Sequence, residues 1–318
     1  MPSDKYSEIK QKIDALKDSI QEVIIGNSHT IDMAVTTMIA GGHILLEDTP
    51  GTGKTTLART LAASIDGKFS RIQFTPDLLP ADITGLNIYN RKEEAFTFVE
   101  GPIMTNILLA DEINRATPRT QSALLEAMQE RQVTVDGVSR PIGDPFMVIA
   151  TQNPVETAGT FPLPEAQLDR FTVQLSMGFP SAQEEASMLE RFGQTDPMKN
   201  TKAVITKEDI VTMREMSKTV KIHKDLIKYI VDIVQATRKD PAILMGASPR
   251  ASLSLQTVAK AHALSQGRDH ILPEDIKQLA ADVLTHRMMY YSVTDYSGKR
   301  AIVNELLNKI TVPSEDFS

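Results

Sequence analysis

No cysteine occurs among the 318 residues. This removes disulfides, thiolate nucleophiles and thiolate metal sites together, and it suits a reducing, cytoplasmic setting. Aromatic side chains are sparse, at 5%, which leaves little surface for base stacking. Basic charge is not in excess: 34 Lys and Arg against 41 Asp and Glu leave −7 with histidine neutral. That balance disfavours a chain-wide grip on a polyanion, though a local basic groove stays open. Long hydrophobic runs are lacking too. The most apolar stretch, Met33 to Leu46, is interrupted by Thr36, Thr37, Gly41, Gly42 and His43, and it is too short to span a bilayer. The polar start Met1-Pro2-Ser3-Asp4-Lys5 has no apolar segment behind it and does not read as a signal peptide. The six histidines form no H-x-x-x-H pair, so no metal site beyond magnesium is expected. There is no internal repeat or low-complexity segment.

What is present is an ordinary globular composition, 41% hydrophobic and 24% charged, in a chain long enough for about two domains. Ile9, Ile13, Leu16 and Ile20 recur at helical spacing, and a second helix is expected from Ser28 to Ala40. Short buried runs follow at His43 to Glu47, Phe69 to Phe74, Ile107 to Ala110, Phe146 to Thr151 and Phe171 to Met177. Helical patterns lie between several of them, notably Thr55 to Ile65 and Pro118 to Glu130. That alternation predicts an α/β domain with a parallel sheet covered on both faces. Gln132 to Val135, Asp136-Gly137 and Val138-Ser139 read as a hairpin. After Gly178-Phe179-Pro180 no convincing buried strand remains. Ser181-Ala182-Gln183-Glu184 is a capping box, and Pro249 and Pro273 sit at helix starts. The expected organisation is therefore an α/β domain over 1–180 and a smaller helical domain over 181–318.

The sharpest signal is Asp48-Thr49-Pro50-Gly51-Thr52-Gly53-Lys54-Thr55-Thr56, set between a buried strand and a helix. Glycines there let backbone N–H groups face phosphate oxygens, and the helix N-terminus adds positive charge. Lys54 is placed to pair with β- and γ-phosphates and the Thr55 hydroxyl to ligate Mg²⁺. Asp48 stands where such loops usually carry their first glycine, a substitution that suits a left-handed backbone at that position. The second signal is Ile107-Leu108-Leu109-Ala110-Asp111-Glu112, an apolar strand ending in two acids. Asp111 reads as the magnesium carboxylate. Glu112 reads as the base that orients and deprotonates an attacking water, a role worth roughly 10²–10⁴ in rate.

With these in place the chain resembles the AAA+ ATPases, and within them the MoxR group. The matching strings are Leu46 to Thr55, Ala110-Asp111-Glu112-Ile113-Asn114-Arg115-Ala116, Glu126 to Arg131, Ala150-Thr151-Gln152-Asn153-Pro154, Leu163 to Phe171 and Gly246-Ala247-Ser248-Pro249-Arg250. The resemblance implies an AAA+ P-loop core with a five-stranded parallel sheet, followed by a small all-helical lid. It also implies ATP and Mg²⁺ as ligands, with Pro50, Gly51, Thr52, Gly53, Lys54, Thr55 and Thr56 around the phosphates. Asn153 matches sensor 1, touching the γ-phosphate and the attacking water. Arg170 matches a finger that enters a neighbouring subunit's site; an intrachain pair with Asp169 or Glu165 is the alternative. Arg250 matches sensor 2, expected at its own subunit's γ-phosphate, with a plain surface arginine as the alternative. Val23, Ile24, Ile25 and Gly26 look like the adenine-lining segment, or else core packing. Leu86 to Val99 and the Asp136-Gly137 hairpin look like insertions facing a ring pore, although no aromatic-rich pore string stands out. Arg115, Arg119 and Arg131 fit either a subunit interface or ordinary surface.

The activity so implied is Mg²⁺-dependent ATP hydrolysis by a homo-oligomeric ring, hexameric by family expectation. Its task is chaperone-like remodelling or maturation of protein clients, often partners with von Willebrand factor A (VWA) domains. Two rivals stay in view. A nucleic-acid translocase of the related MCM-like branch is opposed by the acidity, the few aromatics and the missing zinc cysteines. A nucleotide-dependent scaffold without hydrolysis is opposed by the intact Lys54, Asp111, Glu112, Asn153 and Arg170.

Overall fold

The computed structural model describes residues 2–49, 51–153, 159–193, 198, 201–293 and 295–313. Helix α1 (Pro2–Gln21) buries Ile9, Ile13, Leu16 and Ile20 along one stripe, as their spacing requires. Helix α2 (Ser28–Ile39) leads into β1 (Ile44–Glu47), and α3 (Lys54–Ser64) into β2 (Phe69–Gln73). A short α4 (Pro80–Thr84) opens the first hairpin, β3 (Gly85–Asn90) with β4 (Ala95–Glu100). Then come β5 (Ile107–Asp111), α5 (Pro118–Glu130), the second hairpin β6 (Gln132–Val135) with β7 (Val138–Pro141), and β8 (Met147–Gln152). Helix α6 (Glu165–Leu168) precedes β9 (Val173–Leu175), the last strand of the main sheet.

That sheet is parallel, five-stranded and ordered β2-β5-β8-β1-β9. The strands at its centre are apolar at consecutive positions because both faces are covered. Ile44, Leu46, Ile107, Leu109, Met147 and Ile149 point into one core, against α1, α2 and α3. Leu45, Leu108, Ala110, Val148 and Ala150 point into the other, against α5. The C-terminal ends of β1, β5 and β8 therefore meet at one edge, where an open α/β sheet places its ligand crevice.

The region after β9 is helical: α7 (Ala182–Phe192), α8 (Lys207–Thr219), α9 (Lys224–Thr237), α10 (Pro249–Ser265), α11 (Pro273–Leu284) and α12 (Tyr296–Asn308). Ser181 and Glu184 form the expected reciprocal cap of α7. One small element escaped the sequence pattern, an antiparallel ribbon of β10 (Ile243–Met245) with β11 (Met289–Tyr290). It is too short, and too exposed at Leu244 and Met245, for alternation to register. The core under α1, α2 and α3 runs without a break into the helices α8 to α12. No helix among the described residues is long and apolar enough to cross a membrane.

Candidate functional site

The loop between β1 and α3 turns on Gly51 and Gly53, both left-handed with φ of 87° and 89°. A side chain would be strained at either position. Helix α3 starts at Lys54, so the loop delivers its N-terminus to a cavity of about 420 Å³ at the carboxyl edge of the sheet. Gly51, Gly53, Lys54, Thr55, Thr56, Asp111, Glu112 and Asn153 all line that cavity. Residues more than ninety positions apart in sequence thus line one cavity. Thr52 does not line it: its side chain is buried, with Oγ1 3.5 Å from the Thr49 carbonyl. Pro50 lies outside the described residues.

Lys54 Nζ donates to the carbonyls of Asp48 (3.1 Å) and Thr49 (2.8 Å). Burial lowers its pKa, and the carboxylates of Asp48, Asp111 and Glu112 work against that shift. The ammonium is therefore a half-desolvated cation facing acids across the cavity, the setting in which a phosphate oxygen gains most from it.

The two acids ending β5 are held differently. Asp111 accepts from the Thr151 hydroxyl on β8 (2.6 Å) and pairs with Arg71 on β2 (2.6 Å). Glu112 has a left-handed backbone, φ 56° and ψ 51°, a conformation of order 1–3 kcal/mol above the common regions. Its amide donates to the same Thr151 Oγ1 (2.8 Å). Its carboxylate accepts from Gln73 Nε2 and Arg115 Nε, each at 2.9 Å. Thr151 ties both residues to the neighbouring strand. Arg71, Gln73 and Thr151 were missed in the sequence. A trace existed for the first two: polar residues at alternate positions of β2, next to the acid-bearing strand.

Thr55 and Asp111 fit magnesium by chemistry. Both offer hard oxygen ligands, and a site with one carboxylate and one hydroxyl leaves most positions to water and phosphate, as Mg²⁺ prefers. Among the described residues no group of three or more His, Cys, Asp or Glu forms a ready cage for another metal.

Asp48 departs from expectation. It is absent from the left-handed residues, so a tolerated αL position is not why it stands in the loop. It is buried, and its carboxylate accepts from Ser176 Oγ (2.7 Å), the Met177 amide (2.7 Å) and the Gly178 amide (3.0 Å). It ties the base of the phosphate loop to the segment leaving β9.

Ile24, Ile25 and Gly26 do not line the 420 Å³ cavity. Ile24 belongs to the apolar core. Gly26 is left-handed at φ 73° and lies so close to the Glu184 carboxylate that a Cβ would stand 2.2 Å from its Oε1. Arg170 and Arg250 do not line that cavity either. They share a separate one of about 240 Å³, with Asp169, Ser254 and Arg287. Arg170 makes no ion pair with Asp169 or Glu165. Asp169 instead pairs with Arg287 and accepts from Ser248 Oγ (3.1 Å), with Arg250 Nε at 3.9 Å. Arg131 is engaged within the chain, its Nη2 donating to the Gly41 carbonyl (2.6 Å). Arg119 is exposed.

The hairpins also differ from their sequence reading in one respect. Tyr89 and Phe96 meet across β3 and β4 as an edge-to-face pair 5.4 Å apart, 52% and 73% exposed. Asn87 Nδ2 donates to Asp136 Oδ2 (2.7 Å), and the Arg140 guanidinium lies 4.0 Å from the Phe98 ring centre. The two hairpins are thus joined to each other.

Comparison with known proteins gives a consistent picture. The profile of the "ATPase family associated with various cellular activities (AAA)" matches residues 43–173, and that of the "AAA lid domain" matches 235–306. The chain is 41% identical to Chaperone MoxR1 of Mycobacterium tuberculosis, covering 92% of this chain and 80% of that protein. It is 30% identical to Protein MoxR of Methylorubrum extorquens, over 93% of each chain. It is 48% identical to YeaC of Bacillus subtilis, also over 93% of each. The crystal structure of a Cytophaga hutchinsonii protein assigned as an ATPase superposes with a TM-score of 0.90 at 40% identity, over 98% of both chains.

Proposed function

The chain belongs to the MoxR family of AAA+ ATPases, and from that premise we propose that it hydrolyses ATP with Mg²⁺ in a ring of its own copies. The energy would serve to remodel or mature protein clients in the cytoplasm, VWA-domain partners among them. The observation that carries the reading is the convergence of Lys54, Thr55, Asp111, Glu112 and Asn153 on one cavity at the sheet edge.

The roles follow from chemistry. Lys54 and the N-terminus of α3 neutralise the β- and γ-phosphates. Thr55 and Asp111 would hold magnesium, which would supply positive charge to the phosphates. Asn153, directly after β8, orients the γ-phosphate and water. Glu112 takes the water's proton; Gln73 and Arg115 both bond its Oε2, and the carboxylate keeps further lone pairs to accept the water. Gln73 and Arg115 therefore fix the orientation of the base.

Arg170 and Arg250 line another cavity than the one holding the phosphate loop. We assign both to the face offered to a neighbouring subunit, where a guanidinium finger is worth about 10³–10⁵ in turnover. Sensor 2 then acts on the neighbour, in contrast to the same-subunit role its motif first suggested. The joined hairpins, with Tyr89 and Phe96 exposed, supply an apolar surface for a client chain.

Specific ATPase activity across a wide protein-concentration range tests this reading. It should rise steeply as subunits assemble. Glu112→Gln and Arg170→Ala should each be nearly inactive alone, and mixing them should restore turnover, because the first supplies fingers to the intact phosphate loops of the second. Flat specific activity together with a fully active Arg170→Ala would refute the ring motor and leave a self-contained nucleotide switch.

A further inference from the structure

The turn Thr285–Arg287 between α11 and β11 carries a buried arginine, its side chain 1% exposed. A guanidinium has five N–H donors in a fixed plane, and all of those of Arg287 are used. Nε donates to the Val283 carbonyl (2.8 Å) within its own segment. Nη1 donates to the Asp169 carbonyl (3.1 Å) and to the Asp169 carboxylate. Nη2 donates to the Phe171 carbonyl (2.6 Å) and to Ser254 Oγ (3.1 Å). The adjoining His286, also buried, donates from Nε2 to the same Phe171 carbonyl (2.9 Å).

The targets bracket one residue. Asp169 and Phe171 are the chain neighbours of Arg170, and both of their carbonyls are clamped by a group from the C-terminal region. The Asp169 carboxylate lies between the Arg287 guanidinium on one side and Ser248 and Arg250, at the start of α10, on the other. The backbone of Arg170 is therefore held on both flanks, while its side chain is left on the cavity wall with no ion pair to any described residue.

We propose that Arg287, acting through Asp169, is a positioning residue that aims Arg170 and Arg250 together at the neighbouring subunit. Its place in the C-terminal region makes finger geometry depend on how that region sits on the sheet domain. A lysine cannot replace it: an ammonium has three donors and no planar fork, so it cannot span three carbonyls, a carboxylate and a hydroxyl at once. The inference rests on the reading that Arg170 acts in trans.

The test uses Arg287→Lys and, as a milder partner change, Asp169→Asn. Each is assayed alone and mixed with Glu112→Gln or with Arg170→Ala, alongside the Glu112→Gln plus Arg170→Ala control. Fluorescent-nucleotide affinity is measured throughout. A misaimed finger predicts turnover reduced by about 10–100-fold in each variant alone, with nucleotide affinity within about twofold of wild type. Mixing with Glu112→Gln restores turnover, since that subunit brings a well-aimed finger; mixing with Arg170→Ala does not. Equal recovery with both partners, loss of nucleotide affinity, or unimpaired turnover overturns the proposal. Should Arg287→Lys fail to melt cooperatively, Asp169→Asn alone decides by the same criteria. If the control pair itself fails to recover, the trans finger falls, and the positioning role falls with it.

Discussion

Asp48 separates what a motif encodes from what the surrounding fold encodes. Replacing it with glycine would bring the loop closer to the common phosphate-loop pattern. The carbonyl that receives Lys54 is backbone and would survive, so Mg²⁺–ATP affinity should stay within about threefold of wild type. The three hydrogen bonds to Ser176, Met177 and Gly178 would be lost, two of them leaving amides without that acceptor. Bonds to a charged group are worth about 1.5–3 kcal/mol each and do not add fully, so Asp48→Gly should destabilise the chain by about 2–3 kcal/mol. Urea unfolding monitored by circular dichroism would measure this, and a stabilised variant would show that Asp48 is merely tolerated. The same residue marks the limit of sequence reading. Lys54, Thr55, Asp111, Glu112 and Asn153 were legible because each motif is contiguous and sits at a strand end. The partners of Asp48 lie 128 to 130 positions away. Those of Asp111 on β2 and β8 lie 40 positions off in each direction. Only strand order brings them together, and no local pattern encodes strand order.

Among the elements, helices and strands were largely readable because their apolar periods follow from what they bury, α1 by its stripe and β1, β5 and β8 by unbroken runs. The hairpin β3–β4 was readable as a hairpin but not as a surface. Tyr89 and Phe96 are seven positions apart in sequence and appear unrelated, yet they are Cα partners in the antiparallel register. Exposed aromatics in a chain with 5% aromatics call for an occupant, since single-chain proteins seldom leave paired rings in water without a use. The double substitution Tyr89→Ala with Phe96→Ala removes little burial, so stability should change by less than about 1 kcal/mol. Basal ATP turnover should stay within about twofold, because neither ring touches the phosphate cavity. Retention of a permanently unfolded polypeptide, measured by fluorescence anisotropy with Mg²⁺–ATP present, should be lost. Unchanged retention in the variant would remove this hairpin from client contact.

At the scale of the whole molecule, the helical region is not hung on the sheet domain by a single strand. One apolar core joins α1, α2 and α3 to α8 through α12. Polar ties cross the same divide. Asp282 on α11, fully buried, pairs with His29 on α2 and with Arg300 on α12. Arg214 on α8 pairs with Asp144, which lies between the second hairpin and β8. Arg287 holds the loop carrying Arg170. Opening such a body as two independent lobes would expose core and strip buried charges of their partners, each costing several kcal/mol. The conformational change coupled to nucleotide is therefore expected to be a small shear that shifts Arg170, Arg250 and the hairpins together. Thermal unfolding of dilute subunits by calorimetry checks this directly. A single body predicts one transition whose calorimetric and van't Hoff enthalpies agree. Saturating Mg²⁺ and a non-hydrolysable ATP analogue, at about a hundred times its dissociation constant, should move that one transition by the equivalent of about 2.7 kcal/mol. Two resolved transitions, with only the first or only the second responding to nucleotide, would mean that the helical region moves as a separate lobe. Finger position could then not be set by the packing that joins it to the sheet.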